Sequence, residues 1–189
     1  LLMILLSKVQ KYNIKEFIFS SSATVYGKRG NSNYIDETEK TGNLISNPYG
    51  KTKLMQEEML FDFYKTKPEL NCTILRYFNP IGCDPSGLLG ENPKGIPDNL
   101  MPYIIRVASN NNTDDLFQDE CYECLKIFGD KYPTKDGTCV RDFIHVSDLA
   151  NAHIDVLDFE TKNDNNVWIF NVGTGIGTSV YELVETFIR

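Results

Sequence analysis

The sequence predicts an α/β fold with a parallel sheet. Two short apolar segments have the character of buried strands: EFIFS, from Glu16 to Ser20, and CTILRYF, from Cys72 to Phe78. A helical segment from Pro48 to Lys65 lies between them, and a third strand-like run, from Val167 to Val172, follows another helical segment. Strands that alternate with helices are typical of βαβ units, whose strands are parallel.

The first third of the chain contains the clearest elements. Leu1 to Tyr12 has the pattern of a helix, and the strand from Glu16 to Ser20 runs directly into small polar residues. Such a strand is typical of a parallel sheet whose carboxyl edge carries a site. The segment from Gly27 to Ser46 is polar and reads as a loop. Asn47 can cap the following helix, and Pro48 suits its first turn, where a missing N–H costs nothing.

Shorter elements follow, separated by irregular segments. Pro80 to Pro97 holds four Pro and four Gly, and loops of that length are usually functional or disordered. Residues 110–124 are rich in Asn and Asp and are interpreted as a solvated surface insertion. A capping box of Ser179 and Glu182 predicts the start of a final helix. The other predicted elements are helices at Asn99–Ala108 and Ser147–Phe159 and strands at Leu125–Phe128 and Asp142–Val146.

Both ends of the chain fall inside predicted helices. Leu1 enters its helix without a preceding Met, loop or cap, and Arg189 lies within the periodic pattern of the last helix. We therefore expect this chain to be part of a longer protein.

Composition and charge exclude several classes of protein. With 189 residues, 41% of them hydrophobic and 24% charged, the chain has the balance of a globular protein. Its net charge of −7 argues against binding to nucleic acid or to an anionic membrane. The opening LLMILL is too short to span a bilayer and lacks the features of a signal peptide. We expect neither nucleic-acid nor membrane partners.

The cysteines favour a reducing compartment. Five cysteines, an odd number, in a chain with no export signal are typical of free thiols and of a cytoplasmic protein. Cys121 and Cys124 form a single C-x-x-C, and the chain has only two histidines. No second C-x-x-C pair accompanies this one, so we expect neither a bound metal nor redox chemistry there.

Tyr49 and Lys53 form the most informative local pattern. Four residues apart on one helix, they lie on the same face. A phenol has an ordinary pKa near 10, so acting as a base near pH 7 requires about 4 kcal/mol of assistance. A cation about 4 Å away at an intermediate dielectric supplies about that much. By itself the pair could be an ordinary exposed helix pair; the stretch from Ser20 to Gly27, one loop upstream, favours a functional interpretation.

A glycine-rich segment late in the chain resembles a dinucleotide loop only in part. Gly173, Gly175 and Gly177 follow a strand, but position 178, where G-x-G-x-x-G needs its third glycine, is Thr. The acidic residue that such a motif has about 20 positions later would also fall beyond the end of the given sequence. A tight turn between a strand and a helix is the better interpretation. If a dinucleotide binds, its main loop lies before Leu1.

Six motifs together resemble one family. SSSATVYG, NPYGKTK, LRYFNPIG, DPSGLLGE, GIPDNLMPYI and GTCVRDFIHVSDLA occur in the order found in the UDP-glucose 4-epimerase branch of the extended short-chain dehydrogenase/reductase family. The resemblance covers nearly the whole chain. It implies a Rossmann-like, doubly wound parallel sheet that binds NAD and a smaller α/β domain that binds a UDP-hexose. The expected domains are 1–80 for the second half of the Rossmann domain, 81–146 for the sugar domain, and 147–189 returning to the Rossmann core.

The resemblance also implies catalytic roles. Tyr49 matches the base that takes the proton from the sugar 4-hydroxyl, and Lys53 matches the residue that binds the nicotinamide ribose. Ser22 matches the hydroxyl that contacts the same sugar oxygen, and Thr24 a second hydroxyl nearby. Phe78 matches a contact on the nicotinamide side.

Substrate contacts are implied farther along the chain. Asn79 matches a sugar contact, and Asn99 and Leu100 match contacts to the diphosphate at the start of a helix, where free N–H groups suit an anion. The backbone at Lys126 and Phe128 matches the segment that meets uracil. A further match is Arg141, the arginine that binds the diphosphate. The family resemblance also implies a homodimer, and we expect the 189-residue chain by itself to be inactive.

Alternative functions stay open. A 4,6-dehydratase of the same family places Asp and Glu after the threonine, where this chain has Val25 and Tyr26. A UDP-hexuronate epimerase or a non-catalytic nucleotide-sugar-binding relative is a further possibility. Phe78 could belong to the core, Asn99 could be a helix cap, and Arg141 could pair with Asp142. Four more residues are interpreted as packing or structural residues: Ser20, Ser21, His145 and His153.

Overall fold

A computed structural model describes residues 1–28, 34–110, 124–159 and 167–188. Its contacts divide the chain into two compact units. The first holds Leu1–Phe78 and Asp148–Gly175, and the second holds Asn79–Ser147 and Ile176–Arg189. Tyr49 and Lys53 belong to the first unit, and the implied diphosphate contacts belong to the second.

Three parallel strands form the sheet of the first unit. They lie in the order β1 (Glu16–Ser22), β2 (Asn71–Tyr77) and β5 (Val167–Val172). Ser22, Tyr77 and Val172 are in register at the carboxyl ends of the three strands. Because these ends meet at one edge, the residues that follow them are presented together. The predicted α/β fold with a parallel sheet is confirmed.

Two helices of the first unit, α1 (Leu2–Lys11) and α2 (Pro48–Thr66), supply apolar side chains to its core. Asn47 caps α2, since its Oδ1 accepts the N–H of Gly50 at 2.6 Å, and Pro48 occupies the first turn, as the sequence predicts. No helix in the described ranges is long and apolar enough to cross a membrane. The buried members of the main core are Leu2, Leu6, Val9, Phe19, Leu60, Leu70, Cys72, Ile74 and Val167.

The second unit contains a small mixed sheet. β3 (Asn79–Ile81) pairs in parallel with β4 (Val140–His145), and β4 pairs in antiparallel fashion with β6 (Gly177–Ser179). Its helices are α3 (Leu100–Asn110) and α5 (Val180–Ile188), and α4 (Val146–Leu157) spans the point where the first unit resumes.

The capping box predicted at the last helix is present at the start of α5. The Ser179 N–H donates to Glu182 Oε2 at 3.0 Å, and the Glu182 N–H donates back to Ser179 Oγ at 3.0 Å. Two otherwise unpaired backbone donors are thereby satisfied, which is the reason this pattern starts helices.

Several expectations need correction. The predicted strand at Leu125–Phe128 is wrong: this segment has no regular structure, since it pairs with none of the strands in the described ranges, and Phe128 is 84% exposed. The return of 147–189 to the Rossmann core stays a prediction: the contacts put Asp148–Gly175 in the first unit and Ile176–Arg189 in the second, where β6 pairs with β4. Most of the predicted insertion at 110–124 lies outside the described residues.

The described cysteines carry free thiols. Cys83 and Cys124 are exposed, Cys139 is partly buried, and Cys72 is buried in β2. Burial raises the pKa of Cys72 to about 12, because a thiolate loses its hydration there. Cys72 is therefore an unreactive thiol of the core at neutral pH.

Candidate active site

The carboxyl end of β1 turns directly into a short 3₁₀ helix, Ala23–Tyr26. Ser22 caps this helix in an extended conformation, and its Oγ accepts two hydrogen bonds from Thr24, from the backbone N–H at 3.3 Å and from Oγ1 at 2.9 Å. Ser22 is 8% exposed, whereas Thr24 is exposed. The turn therefore fixes the direction of both hydroxyls at the edge of the sheet.

The first turn of α2 packs closely against that 3₁₀ helix. A Cβ at Gly50 would lie 3.0 Å from Thr24 Oγ1 and 3.1 Å from Thr24 Cβ, so the absence of a side chain permits the approach. Tyr49, the preceding residue, is 57% exposed. The tyrosine ring is thus available to a ligand while its backbone is held beside the two hydroxyls.

Lys53 is anchored to the end of β1. Its Nζ donates to the backbone carbonyl of Ser20 at 2.7 Å, and lies 5.7 Å from the ring centroid of Tyr49 and 5.1 Å from that of Phe19. Partial burial lowers the pKa of Lys53, because an ammonium loses hydration there. Lys53 therefore points to the sheet edge beside Tyr49, unlike a lysine of an ordinary surface pair.

A second polar cluster meets the same serine. The Tyr77 hydroxyl lies 2.6 Å from Ser20 Oγ and 2.5 Å from His153 Nε2, and His153 Nδ1 lies 2.7 Å from the carbonyl of Leu149. Burial raises the pKa of Tyr77, although the hydrogen bond with Ser20 acts to lower it. This cluster could not be predicted from local patterns, because Ser20, Tyr77 and His153 are far apart along the chain.

A buried ion pair lies behind these residues. Arg76 of β2 and Glu57 of α2 are 3% and 1% exposed and meet through two hydrogen bonds, Nη2 to Oε2 at 2.7 Å and Nε to Oε1 at 3.1 Å. Burial acts to lower the pKa of Arg76, and the bonds with Glu57 and Tyr26 raise it overall. Sequence analysis missed this pair, although an arginine inside an apolar strand was a signal.

Phe78 follows the end of β2 and is partly buried. Its backbone N–H donates to the carbonyl of Val172 at 3.0 Å, so it extends the pairing of β2 with β5 by one residue. The first unit thus brings together Ser22, Thr24, Tyr49 and Lys53, with Phe78 on the neighbouring strand end.

The candidate substrate residues occupy several segments of the second unit. Asn79 begins β3, Leu100 begins α3 and Arg141 lies on β4, while Lys126 and Phe128 lie in the irregular segment before β4. The Asn99 side chain donates to Glu91 Oε1 at 2.6 Å, and Arg141 Nη1 donates to the carbonyl of Val140 at 2.8 Å. Neither of these two hydrogen bonds joins one candidate to another.

Comparison with known proteins identifies the family. The sequence profile of the NAD dependent epimerase/dehydratase family matches residues 2–173. The chain belongs to this family. The UDP-glucose 4-epimerase of Caenorhabditis elegans is 48% identical over 176 residues, which are 93% of this chain and 47% of that protein. The Bacillus subtilis enzyme is 47% identical over 184 residues, 97% of this chain and 50% of that protein. The chain spans about half the length of these family members.

Solved structures of family members have the same fold. The UDP-glucose 4-epimerase of Bifidobacterium longum, in complex with NAD⁺ and UDP, superposes with a TM-score of 0.84 at 44% identity. That alignment covers 98% of this chain and 51% of the solved chain. The resemblance inferred from the six sequence motifs, including a Rossmann-like architecture, is confirmed.

Proposed function

We propose that the full-length protein interconverts UDP-galactose and UDP-glucose with bound NAD, as an isomerase acting at sugar C4. The observation that carries the proposal is the arrangement on α2, where Tyr49 and Lys53 share one face and the first turn rests on Thr24. Relatives with 47–48% identity bear the name UDP-glucose 4-epimerase. In this function the protein serves galactose metabolism.

The residues of the first unit fit the nicotinamide half of NAD. An ammonium has three donors, and the Ser20 carbonyl takes one of those of Lys53, which leaves two for ribose hydroxyls. Tyr49 is exposed beside it, and Phe78 stands at the neighbouring strand end, where an aromatic side chain can bound the nicotinamide. NAD held by these residues would supply the hydride chemistry at sugar C4, removal from one face and return to the other.

The protein's own part is proton transfer and orientation. Tyr49 Oη takes the proton of the sugar 4-hydroxyl and gives it back when the ketone is reduced. The Ser22 hydroxyl contacts the same oxygen, held in direction by Thr24. The Lys53 ammonium, 5.7 Å from the centroid of the Tyr49 ring, places a positive charge beside the reacting phenol. Because the proton taken in the first half-reaction returns in the second, Tyr49 regains its starting state after each turnover.

The second unit is proposed to bind the UDP moiety. Arg141 Nη1 donates to the backbone carbonyl of Val140, and the other N–H donors of its planar guanidinium suit a diphosphate. Asn99 and Leu100 stand at the start of α3, where helix N–H groups favour an anion. The sugar meets Asn79, and the backbone at Lys126 and Phe128 contacts uracil.

The test is to express the complete gene and follow UDP-galactose by chromatography. We expect UDP-glucose as the product, with no turnover from the 189-residue chain alone. Release of a 4-keto-6-deoxy sugar would instead show a dehydratase. Val25 and Tyr26, which stand where a dehydratase has its acid and base, are 0% and 1% exposed, so neither can reach a substrate.

The close contact at Gly50 leads to a prediction about this activity. A Gly50→Ala variant should lower kcat about 10-fold, because its Cβ pushes Thr24 away from α2. Alanine is the better helix former by about 1 kcal/mol, so the protein should stay folded. Steady-state kinetics and a urea denaturation curve measured together check this. A kcat within two-fold of the parent would mean that the packing at Gly50 does not set the site.

We further propose a homodimer in the cytoplasm. Met3 and Ile4 of α1 and Met55 of α2 are 63%, 62% and 51% exposed, and a second copy of the chain would cover such side chains. Free thiols at the described cysteines fit a reducing compartment. Sedimentation equilibrium of the full-length protein should give twice the mass of one chain; a single-chain mass would refute the dimer.

A further inference from the structure

A buried polar network connects elements of the candidate active site, and none of its members has a catalytic role in the proposed reaction. The members are Ser21, Tyr26, Glu57 and Arg76. Glu57 follows Lys53 by four residues and Tyr49 by eight, so the three side chains form one stripe along α2. Along this stripe exposure falls from 57% at Tyr49 to 1% at Glu57. The stripe thus runs from the site into the core.

We propose that the Glu57–Arg76 ion pair is a positioning device for the reaction. It sets the location of Tyr49 and Lys53 relative to Ser22 and Thr24, without touching the substrate. The inference rests on the proposed function, and it concerns two residues to which the family resemblance assigned no role, although Arg76 lies within the motif LRYFNPIG.

One half of the network ties α2 to the sheet. Glu57 accepts the two hydrogen bonds from Arg76 of β2 and a third from the Ser21 hydroxyl of β1. Ser21 is the residue between Ser20, whose carbonyl holds Lys53, and the candidate catalytic Ser22. A shift of Glu57 relative to Ser21 would therefore move α2 relative to both Ser20 and Ser22.

The other half ties the sheet to the 3₁₀ helix. Arg76 Nη1 donates to the Tyr26 hydroxyl at 2.9 Å, and the guanidinium carbon lies 4.8 Å from the centroid of the Tyr26 ring. The Tyr26 hydroxyl donates in turn to Asn171 Oδ1 of β5 at 2.7 Å. Tyr26 belongs to the same turn as Thr24. One guanidinium therefore connects the helix that carries Tyr49 with the turn that carries Thr24.

Stability alone does not explain why charged residues occupy these positions. Replacing a buried ion pair by apolar side chains of similar volume is often neutral or stabilising. An arginine fork bound to a carboxylate adds direction, because its paired hydrogen bonds hold only in one relative orientation. Reacting groups displaced by about 1 Å can lose about 100-fold in rate, so such an orientation has catalytic value.

The test compares variants of the full-length enzyme with bound coenzyme. The double variant Glu57→Met/Arg76→Met removes both charges and keeps the volume. We expect its melting temperature to stay within about 3 °C of the parent. Its kcat should fall about 100-fold with KM within about three-fold, and the acid limb of its pH–rate profile should move up by about one pH unit.

A matched control lies on the same helix. Asp62 and Lys65 form an ion pair at 2.7 Å with side chains 76% and 73% exposed, so Asp62→Asn should leave kcat and the pH profile unchanged. If the double variant folds stably and keeps a kcat within three-fold of the parent and the parent pH profile, the pair is structural only and the proposal is overturned.

Two further measurements keep the outcome decisive. Should the double variant not fold, Glu57→Gln is measured at a temperature where circular dichroism shows it folded, with the same expected losses and the same overturning result. A crystal structure of the variant gives a readout apart from activity: we expect the 2.7 Å contact between Lys53 Nζ and the Ser20 carbonyl to be lost. A parent with no epimerase activity would refute the proposed function, whereas an unchanged contact would refute the positioning role.

Discussion

A Tyr49→Phe variant of the full-length protein is expected to convert UDP-galactose about 10²- to 10⁴-fold more slowly than the parent. The substitution removes the hydroxyl that we propose exchanges a proton with the sugar, and it keeps the exposed ring beside Lys53. Because the ring and the helix stay in place, KM should change by no more than about three-fold. Initial rates at several substrate concentrations separate the two parameters.

Tyr12→Phe is the control for that experiment. Tyr12 is a tyrosine of similar exposure, 63%, and it directly follows the last residue of α1. It is not one of the candidate site residues, so its variant should keep the parent kcat. A Tyr49→Phe enzyme that retains kcat within a few-fold would remove Tyr49 as the base.

A Gly27→Ala variant is expected to lose about 3 kcal/mol or more of its free energy of unfolding. Gly27 ends the 3₁₀ helix at φ 71° and ψ −150°, a region that essentially only glycine occupies. A Cβ there would lie 1.9 Å from the carbonyl oxygen of Asn43, which accepts the N–H of Lys28 at 2.7 Å. Urea denaturation of the full-length protein measures the loss.

Gly175→Ala separates the two causes of that loss. Gly175 has the same φ of 71°, but nothing lies within 4 Å of its added Cβ. Its variant should therefore lose only about 1 kcal/mol, the cost of the left-handed backbone. Equal losses in the two variants would show that the contact with Asn43 contributes nothing.

Much of the fold could be predicted because its signals are local. The cap at Asn47, the proline in the first turn of α2 and the capping box of α5 are read from neighbouring residues. The bounds of β5 agree with prediction because a buried parallel strand is apolar on both faces. β3 and β6 have three residues each, too few for a pattern, and their pairing depends on distant parts of the chain.

The candidate site also combines one local pattern, which could be predicted, with contacts between distant elements, which could not. The spacing of Tyr49 and Lys53 guarantees a shared helix face, so the sequence alone placed them together. Their surroundings could not be predicted, because each contact joins elements that are distant in sequence. Glu57 meets Arg76 across 19 residues, and Tyr77 meets His153 across 76. Ser20 and Ser21, interpreted as packing residues, in fact bind Lys53 and Glu57.

The anchor of Lys53 has a consequence for how this site tolerates change. The acceptor at Ser20 is a main-chain carbonyl, and every amino acid carries the same one. A mutation at position 20 can therefore alter the contact with Tyr77 while the lysine keeps its acceptor, provided that β1 keeps its course. The position of Lys53 therefore depends on the backbone course of β1 and not on the identity of the side chain at position 20.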